Sequence, residues 1–365
     1  MPRGVFVAKG FVCYYRILVL KQRTTTSYLR FWLKVLALAA VSIGALTFRL
    51  PLLILQPGPT RDVSKLIQID APTYGSKGSF LLTTALVANT DGITLPAAVK
   101  AAFNPREELV DKESIFPSSS TRLNTDRVHA AQMSESQEVA AVAALHEVGV
   151  PAQPDGAFVR EVTGKTAADK VRPGDVITAV DGDQVVDRDD LKKLVEKRKA
   201  GEELEITLRR NGQTRQVRLR AFSSAPTKAK PSKTRLGVMV IQSNKLPINI
   251  AINAGDIGGP SAGLIFGLAI YDALSPSDLT NGHRIAGTGT ISNADGKFGT
   301  VGPIGAVAEK VKAAAAKGVK IFIAPKANLA EARRAAPKDM KVLGASTLHQ
   351  AIRAIQGLPP VSVSH

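Results

Sequence analysis

Gly255-Asp256-Ile257-Gly258-Gly259-Pro260-Ser261-Ala262-Gly263 stands between an alternating apolar run, Ile248-Asn249-Ile250-Ala251-Ile252, and a run in which Leu264, Ile265, Leu268 and Ala269 keep helical spacing. The alternation predicts a strand and the i, i+1, i+4, i+5 spacing a helix, so Ser261 falls where a glycine-rich loop turns into a helix. The first N–H groups of a helix lack intrahelical partners and carry the positive end of its dipole, which suits backbone from Gly259 through Pro260 to Ala262 to hold a developing oxyanion. Glycines there let a substrate backbone approach closely. Serine is also a favoured helix N-cap, and capping is the commoner use of such a segment, so catalysis needs a partner.

The usual partners are scarce. None of His129, His146, His283, His349 and His365 stands in a His-Glu-x-x-His pattern or has a helical neighbour that would complete a metal site. Cys13 is the sole cysteine, which excludes a disulfide framework and a cysteine-rich zinc site. No metal is expected. A serine–histidine triad stays open, with nothing in the pattern to favour it. Lysine is the other base available, since burial lowers its pKa.

Gly302-Pro303-Ile304-Gly305 and the following residues 306 to 317 read as a turn and a helix stopped by Gly318. Val307, Val311, Ala314 and Ala315 mark the apolar stripe, Lys310 falls inside it, and Lys312 points away. A lysine snorkelling from the stripe's edge is the bland alternative.

Gly259-Pro260-Ser261-Ala262-Gly263, then Gly287-Thr288-Gly289-Thr290-Ile291, then Gly299-Thr300-Val301-Gly302-Pro303-Ile304-Gly305-Ala306 with Lys310, resemble the ordered motifs of the Lon protease proteolytic domain. The resemblance implies that Ser261 is the nucleophile, Lys310 its general base and Thr288 the hydroxyl that orients the lysine. Two departures stand out: Gly258 occupies a place where ATP-dependent Lon enzymes often carry an acid, and the loop between Ser261 and Lys310 is slightly longer. Neither removes a member of the pair, although Ala306 replaces a frequent second glycine.

Residues 1 to 34 hold seven Lys/Arg and no acid, which accounts for seven of the net charge of +17. Residues 35 to 55 are apolar or small except for Ser42, Thr47 and Arg49, with Pro51 as a kink, and match the roughly 20 residues that cross a bilayer. Charge before the span puts the N-terminus in the cytoplasm and the rest outside. Gln56-Pro57-Gly58-Pro59-Thr60 is similar to a phrase of membrane-anchored, PDZ-containing Lon-like proteases of bacteria, which implies a single-pass protein of the bacterial cell membrane. Residues 56 to 147 are expected to be a supporting membrane-proximal region, with a strand over 79 to 87 and a helix over 127 to 146.

Residues 148 to 222 read as a compact β-rich module. A strand is expected at 157 to 162, a turn, a strand and a turn over 170 to 182, a short helix around Leu191, Leu194 and Val195, and a hairpin turning at Asn211-Gly212. With Arg172-Pro173-Gly174-Asp175-Val176-Ile177 at its centre, the order resembles a bacterial PDZ domain, which takes an extended peptide as an added strand. By resemblance the peptide-binding stretch is Gly156, Ala157, Phe158 and Val159. Residues 223 to 233 form a Pro/Ser/Lys linker, and 234 to 357 the Lon-like domain, an α/β domain of the ribosomal-protein-like kind, before a tail from 358 to 365.

Gly164-Lys165-Thr166 lacks the first glycine of a phosphate loop, since Val159 stands in its place, so no ATPase module and no cofactor is expected. The basic balance has no nucleic-acid motif beside it, and affinity for anionic lipid or cell-wall polymer is the milder inference. The expectation is an α/β multidomain chain carrying an ATP-independent serine endopeptidase that acts on peptide or protein substrates, with a homo-oligomer among the partners considered. A PDZ receptor whose protease-like domain is only a scaffold is the competing class.

Overall fold

The computed structural model describes residues 28–361 apart from 41, 45, 105, 116–121, 165, 166, 168, 224–232, 256, 295 and 296. Most of the basic N-terminus, the linker and part of the tail therefore lie outside the described residues. Two compact units result, Met1–Ile54 with Ala88–Ser114 and Leu55–Val87 with Ile115–His365.

In the first unit the described residues from 28 to 47 are helical, and strand Arg49–Leu50 then pairs antiparallel with Ile93–Thr94. The expected span over 35 to 55 is thus cut short. Arg49 and Pro51 end the helix, and the last apolar residues enter a strand in which Leu53, Ile54 and Leu55 are buried. Among the described residues no helix is long and apolar enough to cross a membrane. A short helix, Leu95–Ala102, buries Ala98 and Ala101 against Ile54 and Ile93.

The second unit is built on two large sheets. Its elements are β1 (Leu52–Asp62), β2 (Ile67–Ile69), β3 (Ser79–Ala88), α1 (Arg122–Glu147), β4 (Gln153–Val162), β5 (Val176–Val180), α2 (Arg188–Glu196), β6 (Glu203–Arg210), β7 (Gln213–Arg220), β8 (Val238–Lys245), β9 (Ile250–Ile252), α3 (Gly263–Leu274), β10 (Arg284–Gly287), β11 (Thr290–Ala294), β12 (Lys297–Gly302), α4 (Val307–Ala316), β13 (Ile321–Pro325), β14 (Lys341–Ala345) and α5 (Leu348–Gln356).

One sheet has the order β14-β13-β10-β3-β1, with β10 parallel to both of its neighbours. Its strands are apolar on both faces, and all five residues of β13 are buried, as parallel strands between helices require. On one face α1 packs on α3 through Val139, Ala140, Ala143 and Ala144 against Leu264, Ile265 and Leu268. Residues 56 to 147 are therefore not a separate supporting region: β3 and α1 are central to the domain that carries Ser261. Sequence order hid this, because the two halves are separated by the second sheet.

That second sheet runs β7-β6-β5-β4-β8, and β6 and β7 form a hairpin through Asn211 (φ 49°) and Gly212 (φ 77°). The turn has both residues left-handed, which matches strand twist. Its outer strand β8 comes from beyond the linker, so the module does not end at residue 222.

Candidate active site and peptide groove

Ser261 lies in a 3-10 turn, Pro260–Ala262, that runs into α3. Gly259 before it has φ 85° and ψ 158°, a conformation that L side chains rarely adopt. Pro260 fixes the turn's start but has no N–H, so it cannot serve the oxyanion as a donor. Its carbonyl accepts from Ser136 Oγ of α1 at 2.9 Å. Gly263 cannot grow: a Cβ there would stand 2.5 Å from Ile291 Cγ2 and 2.7 Å from Ser136 Oγ.

Lys310 comes from the first turns of α4, and its Nζ is 2.8 Å from Ser261 Oγ and 3.2 Å from Thr288 Oγ1. The lysine is 6% exposed and Thr288 is fully buried. Burial pushes the Lys310 amine down from 10.5 to about 8, because the charged form has lost its water. Thr288 Oγ1 in turn donates to Ser261 O at 3.0 Å, and Gly289 N donates to the same carbonyl at 2.8 Å. Thr288 thus touches both the lysine and the serine's backbone. Its own N–H is tied to Ile323 O of the neighbouring strand at 3.1 Å, which anchors the group in the sheet.

Three residues that sequence reasoning missed complete the frame. Asn328 accepts from Ile304 N at 2.9 Å and donates to Ile304 O at 3.0 Å, clamping the loop that launches the lysine helix. Glu309, fully buried beside Lys310, pairs through one oxygen with Lys312 Nζ at 3.1 Å, while its other oxygen has no partner among the described residues. Ser136 reaches the serine loop from 124 residues away in sequence. Nothing in local spacing marks such contacts.

The described histidine side chains are engaged elsewhere: His283 Nε2 with Pro359 O at 2.7 Å, His349 Nδ1 with Glu147 Oε2 at 2.9 Å, and His146 stacked on Phe298. His129 and His365 lie outside the described side chains.

Gly156, Ala157, Phe158 and Val159 do not form a peptide site. They belong to β4, an interior strand: Ala157 pairs with Ile177 on one side and Gln242 on the other, and Ala157 and Val159 are fully buried. An added strand needs a free edge, and this sheet has two, the far side of β7 and the far side of β8. At the latter a groove of about 1000 Å³ opens between β8 and α2, lined by Leu191, Lys192, Val195, Leu236, Val238 and Val240 among others. Gly237 (φ 75°) at its end lies so close to Gly164 that a Cβ would meet that Cα at 2.5 Å.

Residues 131–220 match the family model of the PDZ domain, and residues 194–355 that of the Lon protease (S16) C-terminal proteolytic domain. A PDZ domain is joined to a Lon-type proteolytic domain. The proteolytic domain is of a serine peptidase type. Lon protease 2 of Thermus thermophilus is 36% identical over 119 residues, 32% of this chain, and the match spans 14% of that enzyme's length. Among solved structures, the PDZ domain of an SdrC-like protein from Listeria monocytogenes is 23% identical, with 24% of this chain covering 88% of that one at a TM-score of 0.21. The corresponding domain from Listeria innocua is 20% identical, with 24% and 93% covered and a TM-score of 0.21.

Proposed function

We propose that the chain is an ATP-independent serine endopeptidase, anchored in a bacterial membrane, that uses Ser261 and Lys310 as a catalytic dyad. The observation that carries the reading is the 2.8 Å approach of a buried lysine amine, pushed down to about 8, to the hydroxyl of a serine at a helix start. A neutral amine takes the serine proton as Oγ bonds to the peptide carbonyl carbon, and the negative charge moves onto the carbonyl oxygen. Backbone N–H groups of the turn at Gly259, Ser261 and Ala262 are assigned to that oxyanion. The C–N bond then breaks, and Lys310 returns the proton to the leaving nitrogen. Water attacks the acyl-enzyme by the same relay, which restores the serine hydroxyl. Thr288 holds the amine toward Oγ.

The groove beside β8 supplies substrate capture. An extended peptide adds to the free edge of β8, its side chains reach Leu191 and Val195, and the cations around Lys192 favour a carboxylate-bearing chain end. Anchoring rests on the helical residues from 28 to 47. Phe31, Trp32, Leu36, Leu38, Ile43 and Leu46 are all more than half exposed there, which suits lipid and not water. The basic N-terminus places it in the cytoplasm and the catalytic domain outside. Without a nucleotide-driven motor, flexible segments are the natural substrates. A homo-oligomer remains part of the proposal through the Lon resemblance alone.

A fluorophosphonate probe tests the enzyme reading against a binding scaffold. Labelling mapped to Ser261, abolished by Ser261→Ala and slowed at least a hundredfold by Lys310→Met, is expected; absence of labelling in the parent chain makes the domain a scaffold, and equal labelling in Lys310→Met removes the lysine from the dyad.

A further inference from the structure

The helix Leu95–Ala102 is apolar on the wrong side. Its buried face is made of the small residues Ala98 and Ala101, whereas Leu95, Val99 and the capping residue Phe103 are 49%, 50% and 85% exposed. These three recur every four residues and so share one stripe of the helix. A water-facing stripe of Leu, Val and Phe on so small a unit requires something to cover it.

The pairing in the first unit says what. The helical stretch ends at Thr47, Arg49 sits directly opposite Thr94, and Leu95 is the next residue. That pairing is tight: Gly92 (φ +96°) leaves no room for a Cβ, which would stand 2.5 Å from Leu50 O. Two residues of chain, one strand spacing and one more residue put Leu95 within roughly 15 Å of the end of the apolar helix, and the short helix itself is only about 12 Å long. With the apolar helix holding the unit at the membrane as proposed above, the short helix lies within reach of the headgroup layer.

We infer that Leu95, Val99 and Phe103 form an interfacial foot that inserts into the headgroup–acyl boundary of the membrane holding the anchor. The occupant is lipid: a helix face of this kind buries about 5–10 Å into that boundary. Lys100, exposed on the helix flank, meets the phosphate layer. A second contact point fixes the tilt of the unit at the membrane, which a single flexible exit from one helix does not. The inference rests on the anchoring proposed above.

The chain has one tryptophan, Trp32, inside the apolar helix, which allows the two claims to be separated. The full-length protein is reconstituted in phosphatidylcholine/phosphatidylglycerol vesicles with or without lipids brominated near the headgroup end of the acyl chain. In the parent chain Trp32 reports the anchor. In the Trp32→Phe/Phe103→Trp variant, and separately in Trp32→Phe/Val99→Trp, the new indole reports the foot. At least twofold quenching is expected for each foot variant. Quenching of Trp32 in the parent with none in either foot variant overturns the foot and leaves the anchor standing, whereas an unquenched Trp32 overturns both.

Discussion

At the scale of single residues, one buried amine bears on both the proposed chemistry and the stability. Lys310 is lowered from 10.5 to about 8 by desolvation. Below about pH 8 the amine is charged in the folded and the unfolded chain, and the folded state carries the whole penalty of burying that charge. Between about 8 and the unfolded value the unfolded chain binds a proton that the folded chain does not, so stability rises with pH until the penalty is gone. The lowering corresponds to about 3 kcal/mol. Lys310→Met is therefore expected to stabilise the domain by up to about 3 kcal/mol at pH 7, and by almost nothing near pH 10.5, in chemical-denaturation curves taken at the two values. Equal gains at both would show that the amine is not held in its neutral form by burial. Thr288→Val keeps the shape and removes the hydroxyl 3.2 Å from the amine, so a ten- to hundredfold fall in kcat, about 1–3 kcal/mol, is expected with KM little changed. An unaltered kcat would give Thr288 a purely packing role.

At the scale of elements, the serine turn and the lysine helix are each held by a close fit. Gly263→Ala forces a methyl against Ile291 and Ser136, and should lower stability by about 1–3 kcal/mol and disturb the turn that carries Ser261. A thermal shift of zero would contradict the packing. Ala306, the N-cap of α4, has φ 55° and ψ 38°, left-handed backbone that favours glycine. Ala306→Gly is expected to leave the melting temperature unchanged or raise it, by at most about 1 kcal/mol in stability, and a marked loss would mean the methyl is needed for packing. This was half legible in the sequence: the glycine missing from the resemblance sits at the one place in the loop where glycine conformation is used. The strand, turn and helix around Ser261 were readable from their periods, and the observed α4 (Val307–Ala316) lies within the expected 306 to 317. Lys310 was readable because a cation interrupts an apolar stripe. Glu309 was not, since a carboxylate one residue earlier looks like an ordinary solvated neighbour, and Asn328 and Ser136 act across chain separations that no local pattern reports.

At the scale of the whole molecule, domain order in space departs from order in sequence. β1, β3 and α1 join the catalytic domain from one side of the PDZ domain and α3 to α5 from the other, while β8 returns across the linker to become a PDZ edge. A reading that takes the chain in blocks assigns β8 to the wrong domain and so looks for the peptide on β4, which is already paired on both edges. Helix α1 touches both sides: Glu135 pairs with Arg160 of β4, Glu138 accepts from Asn244 N of β8, and Ser136 holds the serine turn. Burial raises the Glu138 carboxyl, so acid weakens this link to β8. In the groove, Lys192→Glu with Met239→Asp should weaken binding of a peptide with a free C-terminal carboxylate at least tenfold by fluorescence anisotropy and leave cleavage of short peptides intact. Parallel loss of both would mean that the groove shapes the active site and does not merely capture substrate. The central claim, a serine activated by a neutral lysine, is tested most directly by kcat/KM for a short fluorogenic peptide between pH 6 and 10. The account predicts a single rise with a midpoint near 8, set by Lys310, and no turnover in Ser261→Ala or Lys310→Met. A rise centred near the ~6.5 of histidine, or full activity in Lys310→Met, would contradict it.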